Sequence, residues 1–463
     1  MHDHSSAASG AARLPLIGCI TVGLGTAVAM WFAGYLTHMP GVRLPLAMTA
    51  GLMTGVQLAG GVIAGRTISP GVAGGAIAGL VSSLINLLIV GSIVASPDQP
   101  DAVRENWWLM VGGTLAFGPV VGALGAFVGS RMPVAGADTQ RWLSRLAVVT
   151  AISALPVLLS GGIVTSAEAG KAVPDWPGSY GYPMFLFPLQ HMTGGIYYEH
   201  AHRLFGSLAG FCTIVLTIAV LLKEPRKWVK LAAVIALLVV ITQGVAGGMR
   251  VNQAEVAPVD IKTAVEEGIT IDENREIDTK PAVAWAIFHG VSGQLTFAYL
   301  CVVASFLSPR WIAGAAKRPD SLMRTFAMLA LGAYLLQLFL GAGLRHTGHA
   351  AFQHSHVTLS IVVVVLSLLA GLRARARHAD VRSMKFFGTM MAHGVGVQFV
   401  IGFVALVVVL PHRDDPTHIP SLIIATTHQF LGALLIAATC IVFAWTMRLV
   451  ERGPVEPASV QTS

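Results

Sequence analysis

Tyr198-Glu199-His200-Ala201-His202-Arg203 stands directly before an apolar run, Leu204 to Leu222, long enough to cross a bilayer. A charged side chain costs roughly 2.5–3.5 kcal/mol at the centre of a membrane and less near its interface. A carboxylate, two imidazoles and a guanidinium at the mouth of such a helix therefore mark a functional place. Glu199 and His202 are spaced i, i+3, so a helix puts them on one face. What that face points at depends on the rest of the chain.

The chain has 463 residues, 54% hydrophobic and 11% charged, with a mean hydropathy of +0.69. Soluble domains carry about 25% charged residues, so the composition specifies an all-α polytopic membrane protein. About twelve apolar runs approach the ~20 residues that a spanning helix needs. They are continuous rather than alternating, which argues against a β-barrel. Four fall near 14–37, 45–65, 71–95 and 107–130. Eight more lie near 145–164, 201–222, 231–249, 283–307, 325–343, 355–372, 386–410 and 421–447.

The net charge of +7 comes mostly from Lys and Arg in alternate connections, such as Lys223 to Lys230, Arg310 to Arg324 and Arg373 to Lys385. This is the positive-inside pattern and not a nucleic-acid footprint. It puts both termini in the cytoplasm and loops 165–198, 250–282, 345–353 and 411–420 outside, at the cell (inner) membrane. Cys19, Cys212, Cys301 and Cys440 lie in or beside apolar runs, and no CxxC pair exists, so a disulfide framework or zinc site is not expected. The polar N-terminus, Met1 to Arg13, leads into a run without a convincing cleavage site, which reads as a retained helix.

Three regions emerge. Residues 1–135 form a four-helix module rich in Gly and Ala, whose run interiors hold no Asp, Glu, Lys or His. Small residues let helices approach closely, so packing or partner docking is its expected role. Residues 140–308 and 322–450 read as two tandem, pseudo-symmetric four-helix bundles. Glu199-His200-Ala201-His202 aligns with Gln353-His354-Ser355-His356, and Gly161-Gly162 with Gly341-Ala342. Gln243 and Gly247 align with Gln398 and Gly402, and His289 and Gly293 with His428 and Gly432. The shared orientation implies a symmetry axis along the membrane normal.

Each half thus supplies two histidines at one depth, His202 with His289 and His356 with His428. Paired neutral imidazoles on facing helices make a bundle-core metal or haem site. His200 competes with His202, and His354 with His356. The halves differ where Glu199 becomes Gln353 and Arg203 becomes Val357. A carboxylate can hand on protons and an amide cannot, so the first half reads as the reacting site and the second as an electron-transfer helper. Glu199 could instead simply pair with Arg203. Arg203, Arg250 and Arg345 end helices on the outer side, where they could bind propionates or anchor the helix.

The loop Ala172-Val173-Pro174-Asp175-Trp176-Pro177-Gly178-Ser179-Tyr180-Gly181 after Gly161 to Thr165, then Glu199-x-x-His202-Arg203, Arg345-His346-Thr347-Gly348 and His428 to Ala433, resembles the haem A synthase family of cytochrome oxidase assembly proteins. The resemblance covers roughly 140–450. It implies oxidation of the C8 methyl of haem O to a formyl group. His202 and His289 would then hold the substrate haem O, and His356 and His428 the haem b iron. Glu199 takes the acidic catalytic position, with Arg203 and Arg345 as further cofactor-binding residues. Haem O synthase, an electron donor, the lipid bilayer and a second copy of the chain are the partners this reading allows, and nucleic acid is not among them.

Three features depart from the family pattern. Val173 and Ser179 stand where many bacterial members carry cysteines, which excludes a thiol relay there. Val357, not Arg, follows His356. The first four helices have no counterpart. The alternatives are a non-enzymatic dihaem protein for electron transfer or haem delivery, and a transporter, which the scarcity of buried charge disfavours. His38, His191, His346, His349, His412 and His418 on the outer side read as solvated loop residues, with copper binding the alternative.

Overall fold

Every backbone N–H and C=O inside a bilayer must be paired within the chain, which leaves helices as the form for long apolar runs. The computed structural model describes residues 15–42, 44–99, 102–132, 138–252, 280–413 and 415–451. The acidic stretch Glu266 to Asp278 and the polar segment Met1–Arg13 lie outside the described residues. The described residues form thirteen α-helices and no strand, only isolated bridges. In order these are α1 (Leu16–His38), α2 (Leu46–Thr67), α3 (Gly71–Val94), α4 (Trp107–Gly129), α5 (Thr139–Ser166), α6 (Gly194–Lys223) and α7 (Lys227–Asn252). They continue with α8 (Lys280–Leu307), the short α9 (Pro309–Ala313), α10 (Ser321–Thr347), α11 (Ala350–Arg377), α12 (Arg382–Val408) and α13 (Ile419–Leu449). All but α9 are long and apolar enough to cross a membrane, twelve in total. The chain is an all-α multi-pass membrane protein.

Most helices overrun the apolar runs by a turn, because polar residues at their ends are helical too. The largest correction concerns α6, which starts at Gly194 after Thr193 and not near 201. Glu199 and His202 therefore sit inside the helix rather than at its mouth. Arg345 and His346, expected in a loop, form the last turn of α10, which Gly348 ends in the left-handed region (φ 63°) while donating its N–H to the Leu344 carbonyl.

The chain divides into two compact units, residues 1–149 with 185–191 and residues 150–184 with 192–463, so the division falls inside α5. In the first unit, Gly61 of α2 lies against the Gly122 carbonyl of α4, and Gly79 of α3 against that of Gly118. A methyl group at either glycine would collide with backbone, so the small residues set the helix spacing. Three buried polar side chains are paired: Ser82 donates to Gln57 (2.7 Å), Ser83 to the Thr114 carbonyl (2.7 Å) and Trp31 to Asn86 (3.1 Å).

In the second unit α10 packs on α11, α11 on α12 and α12 on α13, while α8 lies against α7, α10 and α13. At its arginine-rich end Trp311, Met323, Met384, Met391 and Trp445 share one core. Asp320 fastens this end. As N-cap of α10 it accepts from Met323 N–H (3.0 Å), and it also pairs with Arg373 (2.7 Å) and His378 (3.2 Å). Burial alone would raise its carboxyl, but the Met323 N–H, Arg373 and His378 outweigh that and hold it below the ordinary carboxylate range. A depressed folded value means this stabilisation is complete above the ordinary pKa of about 3.9 and lost as pH falls through the lower folded value. Asp320→Ala should cost about 2 kcal/mol, since Arg373 keeps partial access to solvent. The thermal midpoint in detergent at neutral pH checks this, and the deficit should shrink in acid.

Candidate functional site

His202 of α6 and His289 of α8 face each other with ring centroids 6.1 Å apart and planes at 86°. His356 of α11 and His428 of α13 repeat the arrangement at 6.3 Å and 71°. An imidazole nitrogen binds a first-row metal at about 2.0–2.1 Å, so two rings on opposite sides of one ion have centroids about 6–6.5 Å apart. Both pairs have that separation. His200 instead turns to Ser179, whose Oγ lies 3.0 Å from its Nδ1. His354 is exposed and His356 half-buried. In each half the later histidine joins the pair.

The rings are seated by glycines on the preceding helix. A Cβ at Gly161 would lie 2.8 Å from the His202 ring, at Gly341 2.9 Å from His356, at Gly402 2.9 Å from His428 and at Gly247 3.3 Å from His289. The aligned glycines Gly161 and Gly341, and likewise Gly247 and Gly402, are thus ring seats, a role the alignment alone did not reveal. In His202 and His356 the Nδ1 atom is also oriented from the same helix. His202 Nδ1 lies 3.1 Å from the Val157 carbonyl, and His356 Nδ1 3.1 Å from that of Gln337. A carbonyl can only accept, so Nδ1 carries the proton and Nε2 keeps the lone pair a metal needs. Gln337 also donates to the His356 carbonyl (2.9 Å), as Gln398 does to that of His428 (3.0 Å). The donor set fits two bis-imidazole sites of the kind that hold haem iron.

Glu199 is buried and bound on both oxygens. Oε1 accepts from Arg203 Nη2 at 2.6 Å, and Oε2 from Val173 N–H at 2.9 Å. Arg203 also donates to the carbonyls of Asp175 (2.7 Å), Gly178 (2.9 Å) and Val173 (2.8 Å). Asp175 in turn accepts from Tyr180 N–H (2.5 Å) and Gly181 N–H (3.0 Å), closing the turn. The Pro-Asp-Trp-Pro loop is therefore folded onto α6 by Arg203 and Glu199. Val173 contacts both Glu199 and Arg203 through its backbone, and Ser179 contacts His200 through its hydroxyl. Arg250, named in the sequence but given no firm role, acts electrostatically on His202, His289 and Glu199, and its Nε is buried without a partner among the described residues. Arg345 donates to the Thr165 carbonyl. Positive charge gathered beside the first histidine pair suits an anionic group.

A family model described as cytochrome oxidase assembly protein matches residues 144–352. That segment is similar to this family. The matched segment takes in Glu199, His202, Arg203, His289 and Arg345. It ends ahead of His356 and His428, and α1 to α4 lie before it. No curated protein matches the chain. Among the described residues no group of three or more His, Cys, Asp or Glu side chains could hold a metal. His412 and His418 stack at 3.9 Å, and nothing joins them into such a group.

Proposed function

We propose that the chain is a haem A synthase, an oxidoreductase that converts the C8 methyl of haem O to a formyl group for cytochrome oxidase. The observation that carries this reading is an asymmetry between otherwise matched sites. Both halves hold a histidine pair at metal-spanning distance, but a buried carboxylate stands one turn from the ligand in the first half alone, Gln353 taking its place in the second. His202 and His289 hold the substrate haem O, and His356 and His428 hold haem b. Bound haem supplies the redox chemistry. Glu199 accepts or returns a proton: each of its oxygens has a second lone pair beyond the bonds to Arg203 and Val173. Arg250 and Arg345 neutralise propionates, whereas four of the N–H donors of Arg203 already serve the loop and Glu199. The protein lies in the cell membrane with both termini cytoplasmic and both sites towards the outer face. An electron donor and haem O synthase are its membrane partners, and an external oxidant is the co-reactant that the methyl-to-formyl oxidation requires.

The Glu199–Arg203 pair favours a second reading, in which Glu199 only fastens the loop and the protein is a non-enzymatic dihaem carrier. Two measurements separate them. Haems extracted from protein purified with haem O supplied should include haem O, its alcohol intermediate or haem A beside haem b; haem b alone supports the carrier. Glu199→Gln keeps a carbonyl oxygen for Val173 N–H but cannot titrate. It should retain both haems while haem A formation falls about 100-fold or more. An unchanged yield in both Glu199→Gln and Glu199→Ala would rule out a catalytic role for Glu199 and with it the asymmetry that carries this reading.

A further inference from the structure

The arginine-rich end of the second unit contains a cleft that neither histidine pair uses. It opens between the start of α7, the end of α8, the short α9 and the last turns of α13, with a volume of about 720 Å³. Its walls are aromatic and apolar. Trp228 meets Phe306 edge to face at 5.0 Å, Phe306 tilts against Trp311 at 4.8 Å, and Phe443 continues the lining. Its charged lining residues, Lys317 and Arg448, are both cations. The Arg448 guanidinium lies 5.0 Å from the Trp311 ring centroid. Glu451 lies apart, in an adjoining hollow that shares Lys317.

Trp311 supplies the second, independent observation. It is 5% exposed, and its Nε1 is buried with no hydrogen-bond partner among the described residues. An indole N–H can only donate, and an unpaired donor at a membrane-facing site is costly. The position calls for an acceptor. Two cations and an orphan donor above an apolar, ring-lined slot fit a ligand with acceptor oxygens, negative charge and a hydrocarbon tail. Basic pockets between spanning helices bind anionic lipid headgroups in this way.

We propose that this cleft binds an anionic glycerophospholipid, its phosphate against Lys317, Arg448 and the Trp311 N–H, and one acyl chain along Trp228, Phe306 and Phe443. The lipid bridges α8 and α13, one of the helix pairs through which the two histidine-bearing halves meet. The test is native mass spectrometry of the delipidated full-length protein given phosphatidylglycerol, phosphatidylcholine or inorganic phosphate. Phosphatidylglycerol should be retained about tenfold more than phosphatidylcholine, and excess phosphate should not displace it. Lys317→Ala combined with Arg448→Gln should erase the preference. Trp311→Phe removes the donor and trims a core side chain, so it should weaken retention several-fold as well as lower the lipid-free thermal midpoint. Equal retention of the two lipids, or an undiminished preference in the double variant, overturns the proposal. Full displacement by phosphate reassigns the cleft to a free anion and overturns it equally. A Trp311→Phe protein that loses midpoint but keeps full retention gives the indole a structural role alone.

Discussion

Gly341→Leu protein should insert and fold yet bind the haem of the second half about 100-fold more weakly, the loss typical when the groups orienting a metal ligand are disturbed. Even a methyl at Gly341 would stand 2.9 Å from the His356 ring, so the bulk of leucine must turn that ring away from His428 and from the Gln337 carbonyl that orients it. Gly161→Leu is the counterpart for His202. Gly332→Leu, on the same helix with nothing within 4 Å, is the control for insertion and should behave as wild type. The haem-to-protein ratio and the absorption signature of a bis-imidazole iron report the outcome. A wild-type ratio in both Gly341→Leu and Gly161→Leu would show that the glycines do not seat the rings.

Arg203→Ala should be the most destabilising change in the outer loop, by about 3–5 kcal/mol, because it leaves the buried Glu199 carboxylate without its cation. Arg203→Lys should recover only part of this. A planar fork reaches the carbonyls of Val173, Asp175 and Gly178 as well as Glu199, and a single ammonium cannot span them. Limited proteolysis near 171–182 and the thermal midpoint measure the effect. A loop as resistant in Arg203→Ala as in wild type would remove Arg203 from the clamp.

The membrane fold was legible because apolar length is a strong signal, and α3 and α4 match their sequence limits within a residue. The start of α6 was missed for the opposite reason. Glu199 and His200 are buried in the structure, but Val173 and Ser179 reach them from the loop that folds over them, and local hydropathy cannot register partners 26 and 21 residues away. The histidine pairs were readable through the repeat, since His202 and His356 each have a twin. The roles of Asp175 and Arg203 were not, because hydrogen bonds to backbone carbonyls leave no trace in residue type. Gly161 and Gly341 were visible as alignment marks, and only the distance to a ring turned them into seats.

The seating of each ring by a glycine on the helix just before it has a consequence for biosynthesis. Gly161 and His202 leave the ribosome on consecutive helices, as do Gly247 and His289, so every oriented imidazole is complete as soon as its own hairpin has inserted. The first pair is then assembled before α10 is translated, while the second awaits the last helix. A nascent chain halted after α8 already holds the first histidine pair with both of its ring seats, and the two pairs are completed in the order of their hairpins.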